Sequence, residues 1–183
     1  MADTNPADGR RMADTNPADG RPMADTNPAD GRRMADTNPA DGVVAAVERV
    51  LALAATWLAW DGRPRLAEGG ERAYTPHKAI RRTADHLVDH LAQVEALLAG
   101  VPTEEDRWLA SAVTTEADRA PFGEADLTEA GERLRRLART LALRYADAGP
   151  AAWDAPRGDQ WTLRQIADHL ADPWYAEQVG DLS

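Results

Sequence analysis

Apolar residues recur at helical spacing in four separate stretches, and β-branched residues never alternate over a useful length. The spacing predicts a first helix over 43–60, with Val44, Val47, Leu51, Ala54 and Leu58 on one face and Trp57 at its border. Asp61-Gly62-Arg63-Pro64 should stop it, and a Gly-rich loop holding Gly69 and Gly70 follows. The second helix starts at Thr75, a good N-cap, with Pro76 at N1, where a missing N–H costs nothing. It runs to about Ala99, where Gly100 and Pro102 end it, and its stripe is Ile80, Ala84, Leu87, Leu91, Val94 and Leu98. Thr103 and Asp106 are placed to cap a short helix carrying Trp108 and Leu109, and 111–123 reads as an irregular connection.

The third helix spans 124–148, with Leu127, Ala130, Leu134, Leu137, Leu141 and Tyr145 facing inward and Gly149-Pro150 closing it. The fourth has the sharpest local code. Thr162 and Gln165 make a capping box, and Trp161 and Ile166 are spaced for a hydrophobic staple. Leu163, Ile166, Ala167, Leu170 and Trp174 face inward, and Pro173 should end or kink the regular part. Four amphipathic helices make an all-α four-helix bundle over 43–183 the expected architecture.

The first 42 residues are different. MADTNPADGRR recurs with a period of 11, opening at Met1, Met12, Met23 and Met34. Each unit holds Asn-Pro and Asp-Gly and has no apolar stripe, so this stretch is expected to be a disordered tandem array. All four Met of the protein open repeats, and each is a candidate translation start. The acidic pattern in the unit lacks the spacing and the closing Glu of a calcium loop.

Composition narrows the function. There is no Cys, which excludes disulfide scaffolds, thiolate zinc sites, Cys nucleophiles and iron–sulfur centres. Thirty-one acidic against 21 basic side chains leave a net charge of −10, the wrong sign for neutralising nucleic-acid phosphates. No uninterrupted apolar run reaches the roughly 18 residues of a membrane span, and no apolar leader opens the chain. A cytoplasmic protein with neither nucleic-acid nor membrane partner is expected.

The chemistry rests on the histidines, of which there are four. His77, in the first turn of the second helix, reads as a surface residue. His86 and His90 are i and i+4, the spacing at which two imidazoles share one metal ion. Position 87 is Leu, where a zincin needs Glu. Set on a helical wheel, His86, His90 and His169 all fall about 60–100° to one side of their apolar stripes, at a seam between core and surface. Residues 81–89 and 164–172 also match at six of nine positions, sharing R-x-x-A-D-H-L-x-D. The position matching His90 in the second copy is Pro173, so one copy offers two ligands and the other one. The Asp residues of the pattern fall on the far side and read as a solvated face. Three neutral imidazoles plus water would make an open metal site. Histidines resting at a helix seam without metal are the competing reading.

Trp161-Thr162-Leu163-Arg164, followed by His169-Leu170-Ala171-Asp172, resembles the W-[ST]-x-R-E-x-x-x-H-L-A-D helix start of DinB-like (DinB/YfiT-type) bundles. Thr75-Pro76, Arg81-Arg82, His86 and His90 resemble the other His-bearing helix of that superfamily. The resemblance implies a four-helix bundle whose three His hold a divalent zinc, nickel or iron ion. Some relatives are transferases or isomerases that use a low-molecular-weight thiol such as mycothiol, bacillithiol or glutathione. By carry-over His169 matches the lone ligand, and His86 and His90 the pair. The usual order puts the lone-His helix first, and here it comes last. Either the chain is circularly permuted, which preserves the packing, or one helix is only superficially similar and the site is broken.

Two functions follow. One is a metalloenzyme acting on a small-molecule substrate, with Glu177 within reach of the site if the fourth helix continues past Pro173, and with Trp57, Trp108, Trp153, Trp161, Trp174 and Tyr175 as pocket walls. The other is a metal-free bundle serving as a binding module or a homodimer.

Overall fold

The structure is a computed structural model that describes residues 37–70, 72–104 and 112–183. These residues are mostly helical. In chain order they form α1 (Ala40–Thr56), β1 (Arg65–Ala67), β2 (Arg72–Tyr74), α2 (Pro76–Ala99), α3 (Glu124–Ala148), α4 (Pro150–Trp153), α5 (Leu163–Leu170) and α6 (Trp174–Glu177). The repeats up to residue 36, and the short helix expected around Trp108, lie outside the described residues.

α1 starts three residues earlier than its apolar pattern indicates, inside the fourth repeat. The Asn38 side-chain oxygen accepts from the Ala40 N–H at 3.0 Å, and its amide donates to the carbonyl of Ala142 at 2.9 Å. The Asn38 side chain thus also lies against α3, and this tertiary contact settles what propensity leaves open. The helix closes with a 3₁₀ turn over Trp57–Ala59. Its buried face is Val43, Val47, Val50, Leu51, Ala54 and Trp57, rotated from the expected stripe: Trp57 is fully buried and Leu58 is 40% exposed. The Trp57 indole donates to the Gly180 carbonyl at 2.7 Å, which draws the ring inward and ties down the C-terminal segment.

By length and composition alone, Ala40–Ala59 would be apolar enough to cross a membrane, although no uninterrupted apolar run reaches that length. In the fold it is a core helix. Its outer face carries Glu48, paired with Arg135, and Arg49, which donates to the Ala171 carbonyl at 2.7 Å.

Where a Gly-rich loop holding Gly69 and Gly70 was expected, β1 and β2 flank those glycines and pair antiparallel, with Leu66 opposite Ala73. Strands of three residues are too short to show an alternating pattern. Lys78 on α2 holds the hairpin in place. Its buried ammonium donates to the Ala73 carbonyl at 2.8 Å and to Thr114 Oγ1 at 3.0 Å, and lies over the Tyr74 ring.

α2 begins and ends as its sequence indicates. The Thr75 hydroxyl accepts from the Lys78 N–H, Pro76 is in the first turn, and Gly100 closes the helix at φ 68, a conformation glycine adopts without strain. α3 matches its predicted limits. α5 carries the expected capping box: Thr162 accepts from the Gln165 N–H at 3.2 Å, and Gln165 accepts from the Thr162 N–H at 2.9 Å.

α1 packs against α3 and α5, and α2 packs against α3, α5 and α6. One core joins Val47, Val50, Leu87, Val94, Leu134, Leu141, Leu163, Ile166 and Leu170. Each such side chain contributes about 1.5–3 kcal/mol through burial. The Tyr145 hydroxyl donates to the Leu163 carbonyl at 2.7 Å, and Arg164 grips Asp154 through two bonds of 2.7 and 2.9 Å. Both fix the start of α5. Its far end lies against α1, where a Cβ added at Gly42 would meet that of Ala171 at 3.5 Å.

Candidate metal centre

α2 and α5 each bring an apolar stripe to the core, and each carries histidine on the shoulder of that stripe. When Leu87 and Leu170 are buried, the shoulders face one another. His86 Nε2 then stands 2.9 Å from His169 Nε2 and 3.0 Å from His90 Nε2. The three candidate ligand atoms all lie within 4.8 Å of one another. All three sequence-predicted ligands are therefore brought together, across 83 residues of chain between His86 and His169.

Hydrogen bonding accounts for only part of this clustering. A ring nitrogen offers either one proton or one lone pair, and His86 Nε2 faces two others at short range. His90 Nδ1 donates to Gln93 Oε1 at 2.7 Å, which in the neutral ring leaves the lone pair on Nε2. A proton on His86 Nε2 or His169 Nε2 then points along only one of the two short contacts. A shared ion fits the spacing: two nitrogens about 2.1 Å from one metal stand about 3.0 Å apart at a right angle and about 3.4 Å apart at a tetrahedral angle. The two separations at His86, 2.9 and 3.0 Å, are those of donors that could share one ion.

The electrostatics suit ligation as well. Burial, reinforced by His90, His169 and Arg82, pushes the His86 imidazole down to about 2, so the ring is neutral at ordinary pH, the form that binds metal. Gln93 orients His90, the outer-shell role that commonly fixes the tautomer of a ligating ring. Its i+3 spacing from His90 was visible in the chain, but nothing in the pattern marked it.

Known protein families, curated proteins and solved structures contain no match to this chain.

Aromatic rings border the site. Trp161, expected to staple Ile166, stacks on His90 at 13° and meets His169 edge-on at 5.0 Å, yet is 40% exposed. Pro173 ends the regular helix, and the chain re-enters as α6, which sets Tyr175 edge-on to His86 at 5.5 Å. Trp174 packs against Tyr74 of the hairpin at 5.8 Å. Of the other aromatics expected as pocket walls, Trp57 and Trp153 are core residues, and Trp108 lies outside the described residues. Glu177 is exposed on α6, beyond the break in the helix that was to carry it inward. Among the described residues no carboxylate joins the three imidazoles.

His77 is half-buried rather than on the open surface. Its Nε2 lies 3.1 Å from the Pro121 carbonyl, and its ring meets Phe122 edge-on. Of the Asp residues expected on a solvated face, Asp168 and Asp172 are exposed, whereas Asp85 and Asp89 are half-buried, Asp85 near Arg81.

Proposed function

We propose that the chain is a DinB-like metal-binding protein, with α1, α2, α3 and α5 as a four-helix bundle in which His86, His90 and His169 hold one divalent zinc, nickel or iron ion. On this reading it is a cytoplasmic, metal-dependent transferase or isomerase that adds a low-molecular-weight thiol of the mycothiol type to a small electrophilic substrate. The observation that carries the reading is the convergence of the three Nε2 atoms. A divalent ion bound by three neutral imidazoles keeps open positions and acidifies a thiol or water placed there. The chain's own residues do the rest. Gln93 holds the His90 lone pair toward the ion, and burial keeps His86 unprotonated. Trp161 and Tyr175 flank the imidazoles and would border a bound substrate.

The test is metal analysis of the purified full chain, titrated with zinc, nickel and iron at pH 7.5. One ion per chain is expected. His86→Ala or His169→Ala should abolish uptake with the helical circular dichroism retained, and Gln93→Ala should weaken it about tenfold or more. A protein that takes up none of the three ions is instead the metal-free binding module. The thiol step is checked separately, as metal-dependent adduct formation between mycothiol or glutathione and 1-chloro-2,4-dinitrobenzene. A metal-loaded protein that accelerates neither would restrict the reading to metal binding.

A further inference from the structure

The paired imidazoles on α2 are held in different ways. His90 is fixed through its other ring nitrogen, whose proton goes to Gln93 Oε1 at 2.7 Å. His86 has no such partner. Among the described residues its hydrogen-bond contacts are those of Nε2, with His90 and His169. An imidazole that turns its Nε2 lone pair to a metal carries its proton on Nδ1. In ligating histidines that proton commonly goes to a carboxylate, a backbone carbonyl or water, which sets the ring's orientation. No protein group among the described residues does this for His86, so packing must orient its ring.

The ring packed edge-on against it is Tyr175, with 5.5 Å between centres. Tyr175 is itself pinned by Arg82, one helical turn before His86 on α2. The Arg82 Nη2 donates to the Tyr175 hydroxyl at 2.9 Å, and its Cζ lies 4.7 Å from the centre of that ring. The guanidinium is committed to this contact. Its Nε is buried without a hydrogen bond, and no carboxylate pairs with it among the described residues. Arg81 and Arg164 instead rest on Asp118 and Asp154. An unpaired cation beside a site for a divalent ion opposes metal binding, so its place there needs a separate gain. Holding Tyr175 supplies one.

Tyr175 arrives from a distant part of the chain. Pro173 ends the regular helix, and α6 sets the ring down on His86. The segment is anchored beyond it. Ala176 and Val179 are buried, the Trp57 indole donates to the Gly180 carbonyl at 2.7 Å, and the Leu182 N–H donates to Thr56 Oγ1 at 3.0 Å. Contacts therefore run without a break from the docked segment through Tyr175 to His86.

We propose that Arg82 and Tyr175 are positioning residues for His86, a latch through which docking of residues 174–183 and metal binding favour one another. This rests on the metal reading above and names what regulates that site. The coupling is reciprocal: the factor by which the latch tightens the ion is the factor by which the ion tightens the latch.

The experiment titrates the full chain with Zn²⁺ against a chromophoric chelator at pH 7.5. Arg82→Gln is the deciding variant, because it removes a positive charge. Charge alone would tighten the metal, whereas loss of the latch should weaken it about tenfold or more. Tyr175→Phe keeps the ring, loses the hydroxyl and should weaken binding by a similar factor. The double variant should lose no more than the larger single loss. In the wild-type protein Zn²⁺ should slow amide exchange in α6 by about that factor more than in α4, the other four-residue helix. Unchanged or tighter binding in Arg82→Gln overturns the proposal with the metal reading intact. So do losses that multiply in the double variant. Equal slowing in α6 and α4, or none, does the same and needs no variant. Absence of Zn²⁺ uptake by the wild-type chain overturns the metal reading, and this inference with it.

Discussion

Residues 81–89 and 164–172 share six of nine positions, yet one segment lies within a 24-residue helix and the other fills most of an 8-residue one. The shared Arg, Ala, His and Leu do the same work in both. Ala84 and Ala167, Leu87 and Leu170 are buried in the core, and His86 and His169 meet at 2.9 Å. Arg81 and Arg164 each reach a carboxylate from a neighbouring loop, Asp118 and Asp154. Two of the differences that shape the site lie four residues either side of the histidine. The first copy has Arg82 and His90 there. The second has Gln165, spent on the capping box, and Pro173, which ends the helix and turns the chain into α6. Had both copies kept the long helix, Tyr175 would not return to His86. The asymmetry is what gives one side of the site its ligands and charge, and the other its aromatic wall.

The largest effects come from the shared leucines. Leu87→Ala and Leu170→Ala should each cost about 2–5 kcal/mol in urea unfolding of the metal-free protein. If the two segments are equivalent in packing, the two losses should agree within about 1 kcal/mol. A much smaller loss at Leu170 would show that the short helix repacks, and would break the equivalence.

Next in size is the response to pH. Unfolded His86 takes up a proton near 6.5, and folded His86 only near 2. Between those values the unfolded chain binds more protons, so this ring's contribution is present above pH 6.5 and is lost as pH falls below it. The loss is up to about 1.4 kcal/mol per pH unit. Urea unfolding of the metal-free protein at pH 7.5 and pH 5 should show it, and His86→Leu should flatten it. An unchanged slope in that variant would assign the sensitivity elsewhere.

The helix starts differ least. Thr75→Ala and Thr162→Ala each remove a side-chain cap and should cost about 1 kcal/mol. The Thr75 hydroxyl is buried and that of Thr162 is not, so the former should lie toward the upper end of about 0.5–2 kcal/mol. Thermal melts of both variants would order them.

What the sequence made legible was whatever is decided within about one helical turn. The Thr75-Pro76 start, the Gly100 stop and the Thr162–Gln165 box each depend on neighbours three or four residues apart, and each is present. The histidine shoulder followed from periodicity, which turned three positions on two helices into one testable point. What depends on distant chain was hidden. The hairpin is held in part by Thr114, whose hydroxyl reaches the Ala73 carbonyl from 41 residues away. The burial of Trp57 follows from a carbonyl 123 residues away. Trp161 carries a staple's spacing, but histidine rings lie beside it and it lays itself across them. Arg82 was legible only as a basic residue, because its relation to Tyr175 exists only after Pro173 reverses the chain.

The junction at Asn38 has a consequence for how such a chain can vary. The last 11-residue unit supplies the residues that open α1, and the carbonyl of Ala142 that receives Asn38 belongs to α3. Gaining or losing whole units upstream would leave the same Asn-Pro-Ala-Asp-Gly beside that carbonyl. Copy number can thus drift through replication slippage without the folded part registering it, whereas one substitution in the final copy alters the first turn of a core helix.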